Sequence, residues 1–379
     1  MQWHLLAMNA KTNKRTVAVG LSGGIDSGTT ALMLKEQGHD VIGVTMWLFD
    51  HQAEELNAAK RVADALKIPH YILDYRKAFA DTVIHNFIAS YEQGFTPNPC
   101  LLCNRKFKYG RLISDCITLG ATHFATGHYA RVEKDALTGE HVLYRAENKR
   151  KDQSYNLYHL GQDTLSKLVF PLGSVESKEA VRARFATLSV SISEKKDSLG
   201  ICFIKDKNHM NFLTVNESTS MSPGKFVDTE GNLLGIHQGI AQFTVGQKRR
   251  LGLDLNGQYL NGRYVVVAIN PSTKEVCLGQ ESDLLYHTVI TEEFNFIRPS
   301  IQSKLQDSNQ RMAVEVILSQ WSEVYKGELS LLENSTRARL TFDTPVRAPA
   351  KGQALACYVG DELIGGGIIS LHHRELLIK

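Results

Sequence analysis

The stretch VAVGLSGGIDS, Val17–Ser27, organises the reading of the whole chain. Val17–Leu21 is apolar and rich in β-branched residues, so it reads as a short strand. A glycine turn follows, and a helix begins near Ser27. Gly23 and Gly24 carry no Cβ, so the turn can take positive φ and let an anion approach the main chain. The helix behind them offers unpaired N–H groups and the positive end of its dipole to the same anion. No lysine follows the glycines, so this is not the Gly-Lys-Ser/Thr type of phosphate loop. Two adjacent glycines alone describe an ordinary turn with an Asp/Ser helix cap. Strand, SGGIDS and helix in that order describe a phosphate-binding loop.

Downstream, Thr29–Gln37 reads as helical, with Gly38 suited to the C-cap. Val41–Trp47 is a nearly continuous apolar run, the pattern of a strand buried on both faces. Leu56, Ala59, Ala63 and Leu66 form a helical stripe. His70–Leu73 is a third strand, Phe79, Val83 and Phe87 mark the next helix, and Lys106–Thr118 a further one. A last strand, Phe124–Thr126, leads into Gly127-His128. Alternating strands and helices predict a parallel sheet with right-handed crossovers. Ligands of such sheets sit beyond the carboxyl ends of the strands, where the SGGIDS loop, Met46 and Gly127 all fall.

Residues 151–208 read as mostly helical, with a helix start at Ser177, and Asn216–Gly224 (NESTSMSPG) is a polar linker. Beyond it, Tyr264–Ile269, Met312–Leu318, Ala338–Phe342 and Ala354–Val359 alternate with turns, as in antiparallel sheets or small barrels. The fold class is α/β. A Rossmann-like parallel-sheet domain is expected over residues 1–215, a small β domain over 216–290 and a β-barrel over 291–379.

The 379 residues exceed one ordinary core, and 43% hydrophobic with 22% charged residues describes a globular chain. A net charge of +3 leaves nucleic-acid binding to local basic patches. Lys106, Lys108, Lys149, Arg150, Lys248, Arg249 and Arg250 are candidates, although such runs are commonly solvated surface. No apolar run approaches the ~18 residues of a membrane span, and Met1–Arg15 reads as a frayed extension, not a secretory signal. Six scattered cysteines without such a signal fit a reducing cytoplasm.

Two cysteine stretches carry chemistry. Thr96–Asn104, TPNPCLLCN, is a proline-stiffened loop with Cys100 and Cys103 in a C-x-x-C, which serves as a redox pair, a metal half-site or a nucleophile with a helper. One C-x-x-C does not complete a zinc site. Lys195–Phe203, KKDSLGICF, places Cys202 after two lysines, and positive charge favours the reactive thiolate. Each is equally readable as a buried structural cysteine, which is the reading adopted for Cys116, Cys277 and Cys357.

SGGIDS, TPNPCLLCN, ATGHYAR, KDQSYNLY, KKDSLGICF and the C-terminal FDTPVRAPAKGQALACY…GGGII, in that order, resemble the tRNA-specific 2-thiouridylase family of the PP-loop ATP pyrophosphatase superfamily. The resemblance runs from about Thr16 to Ile369. It implies that ATP adenylates O2 of the wobble uridine (U34) of tRNAs for Lys, Glu and Gln, and that persulfide sulfur then displaces AMP. By that resemblance Gly20, Leu21, Ser22, Gly23, Gly24, Ile25, Asp26 and Ser27 hold ATP, with Met46 and Gly127 at its nucleoside part. Asp26 is cast as a Mg²⁺ ligand, since Mg²⁺ prefers carboxylate plus phosphate oxygens. Cys202 matches the persulfide carrier. Cys103 matches the nucleophile that frees its sulfur, or that closes a disulfide with it. Asn98, Pro99 and Cys100 match the target-base region. His128, Lys151, Asp152, Gln153 and Gln353 match tRNA contacts, with residues 151–215 as the tRNA-facing part. A sulfur-carrier protein or a cysteine desulfurase relay is the implied donor, and the wobble base must be extruded from its stack to be reached.

Cys100 stands where many members of the family carry an aspartate. Cys100, Cys103 and Cys202 together supply three thiolates, so an alternative is a [4Fe-4S] cluster delivering sulfide through an open iron. The loop after Trp47 is short and lacks a cysteine–aspartate pair. Val314–Tyr325 lacks the arginine–tyrosine motif expected at a tRNA contact. The rival classes are another PP-loop adenylating synthetase, which needs no reactive cysteine, and a non-catalytic tRNA-binding or cluster-carrying protein.

Overall fold

A computed structural model describes residues 14–190, 200–308, 310–319, 322–332 and 336–372. The frayed extension over residues 1–13, the KKDSL half of the second cysteine stretch and Gln320-Trp321 lie outside the described residues. Strands β1 (Thr16–Gly20), β2 (Asp40–Trp47), β3 (His70–Asp74) and β4 (His123–Ala125) build the first sheet. Between them lie α1 (Ile25–Glu36) and α2 (Ala53–Leu66). A hairpin of β5 (Ala130–Lys134) and β6 (His141–Arg145) follows, and β7 (Leu168–Val169) then completes a parallel sheet of order β3-β2-β1-β4-β7.

The burial of β1 explains the order. Val17, Ala18 and Val19 are each fully buried, as an apolar central strand requires. β3 exposes Tyr71 and Ile72, as an edge strand can. From β1 the chain proceeds outward through β2 and β3, then returns to β4 on the other side of β1. Connections leaving in opposite directions open a crevice at the carboxyl end of β1, where ligands of open α/β sheets bind. SGGIDS lies at its mouth.

Several local expectations shift. α1 starts at Ile25, and the helix expected at Lys106 starts at Pro99. The latter continues as a π-helical turn over Asn104–Arg111 into Leu112–Thr118. The stretch 151–208 is not mostly helical. It holds short turns at Ser154–Leu157 and Pro171–Ser174, strand β7, and the nine-residue helix Lys178–Ala186. Its side chains bond to strands and loops of other elements instead of to a helix ladder.

The second sheet joins β8 (Gly224–Val227), β9 (Leu233–His237), β10 (Val265–Asn270) and β11 (Glu275–Gly279) in the order β10-β11-β8-β9. Strands β12 (Leu285–Phe296), β13 (Met312–Ile317), β14 (Val324–Leu331), β15 (Ala338–Arg347), β16 (Ala354–Val359) and β17 (Glu362–His372) follow. Pairing of β12 with β17 closes these six into an antiparallel barrel filled by Val289, Val316, Leu329 and Leu340. β12 spans the expected boundary near residue 290 and belongs to the barrel throughout. The β5–β6 hairpin pairs with the barrel at Tyr144 and Glu362, so the first domain lends two strands to the last. No helix among the described residues is long and apolar enough to cross a membrane.

Candidate active site

Gly24 caps α1 without a side-chain bond, leaving the first-turn amides directed at the crevice. Gly23 takes φ +76°, the left-handed conformation expected of it. The two serines brace the turn. The Ser22 amide donates to Ser27 Oγ (3.1 Å), and Ser27 Oγ donates to the Gly24 carbonyl (3.1 Å). The buried Leu21 pairs through its N–H with the Val44 carbonyl (2.8 Å), tying the loop to β2. Gly127 lies against the loop so closely that a Cβ there would stand 2.9 Å from the backbone of Asp26 and Ser27. Met46 packs at the edge of the main core, and its carbonyl accepts from Gln52 (2.9 Å).

Asp26 is already engaged. Lys178 Nζ donates to both carboxylate oxygens at 2.6 Å, and the Tyr129 hydroxyl donates to Oδ1 at 2.9 Å. The Lys178 side chain is only 9% exposed. A Mg²⁺ held by Asp26 would compete with this ammonium for the same oxygens. Sequence reasoning missed Lys178, although a signal existed. It is the first residue of a helix capped by Ser177, whose Oγ accepts from the Ala180 amide (3.1 Å). A cation at a helix N-terminus opposes the dipole and calls for an acidic partner elsewhere.

The two cysteine loops meet through aromatic packing. Phe79, on the helix Arg76–Phe79, packs edge-on against Phe107 (5.6 Å between centroids) and Phe203 (5.8 Å). Phe107 lies one turn beyond Cys103, and Phe203 adjoins Cys202. Phe87 and Phe212 close further on Phe203, both at 5.4 Å. Cysteines 99 positions apart thereby come within electrostatic reach of one another. Burial pushes the Cys103 thiol up to about 11, the Lys108 ammonium drawing it back and Cys100 adding to the rise. Burial, then Cys103 and Cys100, push Cys202 up to about 12 against Lys108. Cys100 is raised by burial as well, again opposed by Lys108. Among the described residues no three His, Cys, Asp or Glu side chains form a group able to hold a metal ion. The three thiols as arranged are therefore not a preformed cluster site.

The cysteine helix is bonded to the nucleotide side. The Tyr109 hydroxyl is 3.0 Å from Thr126 Oγ1 and 2.9 Å from His128 Nδ1, and Gly127 between them touches Asp26. Burial, with Lys108 and His159 nearby, lowers the His128 pKa well below the ordinary range, so its ring is neutral. Asn98 and the buried Pro99 start the cysteine helix.

The other expected tRNA contacts mostly face the protein itself. Asp152 accepts from the Ala146 amide and the Ser154 hydroxyl, both at 2.8 Å. Gln153 Oε1 accepts from the Tyr129 amide (3.1 Å). Gln353 donates to the Thr96 carbonyl (2.6 Å), so the barrel grips the TPNP loop. Lys151 is half-buried. Of the basic candidates, Lys149 pairs with Asp361 (2.6 Å) and Lys248 with Glu281 (2.8 Å). Cys116 and Cys357 are buried, and half-buried Cys277 donates to the Asp228 carbonyl (3.4 Å).

Three family profiles match consecutive parts of the chain: a tRNA methyl transferase HUP domain over residues 15–206, a tRNA methyl transferase PRC-barrel domain over 211–280 and an aminomethyltransferase beta-barrel domain over 286–369. The tRNA-specific 2-thiouridylase MnmA of Clostridium perfringens (strain ATCC 13124) is 40% identical over 369 residues, covering 94% of this chain and 98% of that one. The same-named protein of Carboxydothermus hydrogenoformans is 37% identical over 371 residues, covering 94% and 98%. Among solved structures, the U34-tRNA thiolase NcsA of Methanococcus maripaludis with its [4Fe-4S] cluster is 18% identical. It covers 54% of this chain and 68% of that one at a TM-score of 0.35, too low to bear on the site.

Proposed function

The chain belongs to the tRNA-specific 2-thiouridylase family, and from that premise we propose that it converts the wobble uridine of tRNAs for Lys, Glu and Gln to 2-thiouridine. The observation that carries the reading is the Tyr109 hydroxyl, which joins the cysteine helix to Thr126 and His128 beside the SGGIDS loop. Activation and sulfur delivery are thus neighbours on one crevice. A methyl transferase, as the profile names word it, would use neither an ATP-cleaving loop nor a pair of approaching thiols.

ATP enters with its Mg²⁺ as substrate. The first-turn amides of α1 stabilise charge on the phosphates as uracil O2 attacks the α-phosphorus and pyrophosphate leaves. Adenylation turns a poor leaving oxygen into AMP. The outer sulfur of a Cys202 persulfide then attacks C2, and AMP departs with the former O2. The Cys103 thiolate attacks Cys202 Sγ, leaving the outer sulfur on the base and a Cys103–Cys202 disulfide. A thiol reductant returns that disulfide to two thiols with two electrons. The proposed order of domains is a catalytic unit over 1–215, a small β domain over 216–290 and a barrel over 291–379 that braces the TPNP loop through Gln353.

A second reading keeps the adenylation and delivers sulfide from a [4Fe-4S] cluster on Cys100, Cys103 and Cys202. The nearness of the three sulfurs favours it, and their spacing requires them to close up first. One experiment separates the readings. Aerobically prepared, iron-free protein is incubated with Mg-ATP, a persulfide donor and unmodified tRNA, and nucleosides are analysed. Formation of 2-thiouridine supports the persulfide route. Product only from anaerobic, iron- and sulfide-containing protein supports the cluster, and none from either preparation overturns both.

A further inference from the structure

Three thiols that react as thiolates lie here in surroundings that favour the protonated form. Their counter-charge must come from somewhere, and among the described residues one cation acts on all three. Lys108 opposes the burial of Cys100, Cys103 and Cys202, and its charge also reaches His128 and His159. No carboxylate figures among the groups acting on these thiols. Arg105, which also acts on His159, is neutralised by Glu293 at 2.7 Å. His159 has both ring nitrogens buried with no hydrogen-bond partner, and burial with Arg105 and Lys108 lowers its pKa to about 3.

The backbone explains how Lys108 reaches this position. The helix Pro99–Cys103 passes into a π-helical turn over Asn104–Arg111, closed by the Leu112 amide on the Phe107 carbonyl, five residues back. At about 3.6 residues per turn, positions three and four beyond Cys103 would lie beneath it. Closure over five residues brings the fifth, Lys108, round instead, and such turns recur at functional sites. Gly110 makes the wide turn feasible, since a Cβ there would stand 2.9 Å from the Arg105 carbonyl oxygen. Lys108 is half-buried, and among the described residues it makes no ion pair or hydrogen bond.

We propose that Lys108 is a positioning residue of the sulfur site, carried there by the π-helical turn to serve as the counter-ion of the thiolate or persulfide anion on Cys103 and Cys202. The meaning of this assignment rests on the sulfur-transfer reading. The charge–sulfur pairing itself can be measured without tRNA or ATP. A unit charge several ångströms away at an effective dielectric near 20 is worth about one pH unit on a thiol.

The test is the pH profile of iodoacetamide alkylation in the reduced full-length protein, read cysteine by cysteine by peptide mass analysis. Lys108→Met is expected to slow alkylation of Cys103 and Cys202 about tenfold near neutral pH by moving their profiles up about one unit. Lys108→Arg restores the parent profile, and Cys277, in the second sheet, serves as the folding control and does not move. Gly110→Ala keeps the charge and displaces it, so it moves the same two profiles in the same direction. Profiles for Lys108→Met that coincide with the parent overturn the proposal, as does a Gly110→Ala profile that coincides while Lys108→Met shifts. Failure of the protein to form 2-thiouridine alongside a shifted profile sinks the thiolation reading and leaves the pairing standing.

Discussion

Replacing Phe203 with alanine should separate the two sulfur loops while leaving their cysteines in place. Phe203 is 4% exposed and meets Phe79, Phe87 and Phe212 at 5.8, 5.4 and 5.4 Å. A buried Phe→Ala change costs about 3–5 kcal/mol, and each well-placed ring pair carries about 0.5–1.5 kcal/mol beyond its buried area. The loop bearing Cys202 is held chiefly by this ring, so most of the loss falls on docking of that loop. Taking about 3 kcal/mol, the docked fraction falls by roughly two powers of ten. The assay is the rate of intramolecular Cys103–Cys202 disulfide formation under a mild oxidant, quantified by mass spectrometry beside a denaturant unfolding curve. Phe203→Ala should slow the disulfide about a hundredfold, and Phe203→Leu should retain most of the rate. A parent-like rate in Phe203→Ala, with global stability lowered, would refute the aromatic wedge as the device that joins the loops.

Lys178→Met should strand the Asp26 carboxylate with the Tyr129 hydroxyl alone, lowering stability by about 1–3 kcal/mol and weakening Mg-ATP binding. The double variant with Asp26→Asn should recover much of the stability in a denaturant cycle, and strict additivity of the two single losses would contradict the pairing. His159 titrates near 3 in the fold and near 6.5 unfolded, so acid protonates the unfolded chain first. Stability should therefore fall as pH drops from about 6.5 towards 3, by up to about 1.4 kcal/mol per pH unit. His159→Phe should flatten that decline in urea melts, and an unchanged slope would count against a buried neutral ring.

The parts of the fold legible in the sequence are those where one local rule dominates. The apolar run at Val17–Leu21 could only be an interior strand, and the glycines after it set the loop where the crevice opens. Alternation in the C-terminal half announced β strands, and Asp228–Asn232 and Gly360-Asp361 turned where turn chemistry asked. Long-range arrangement was less visible. Nothing near Ala130 says that β5 and β6 pair with a strand more than 200 residues on. The π-helical turn at Asn104–Arg111 has no periodic signature, because one extra residue per turn is decided by packing around Gly110. The site shows the same division. The cysteines and SGGIDS carried their chemistry openly, whereas Lys178, Phe79 and Tyr109 act through partners that only the fold brings near. Residues 151–208 misled because apolar positions there serve many different neighbours, and a helical period can arise among them without a helix.

The account stands on adenylation of the uracil oxygen. Its most direct measurement uses tRNA carrying ¹⁸O at C2 of the wobble uridine, incubated with the protein, Mg-ATP and a persulfide donor. The account predicts AMP bearing one ¹⁸O in equal amount to the 2-thiouridine formed. Unlabelled AMP accompanying labelled product loss, or thiolation without AMP, would contradict it.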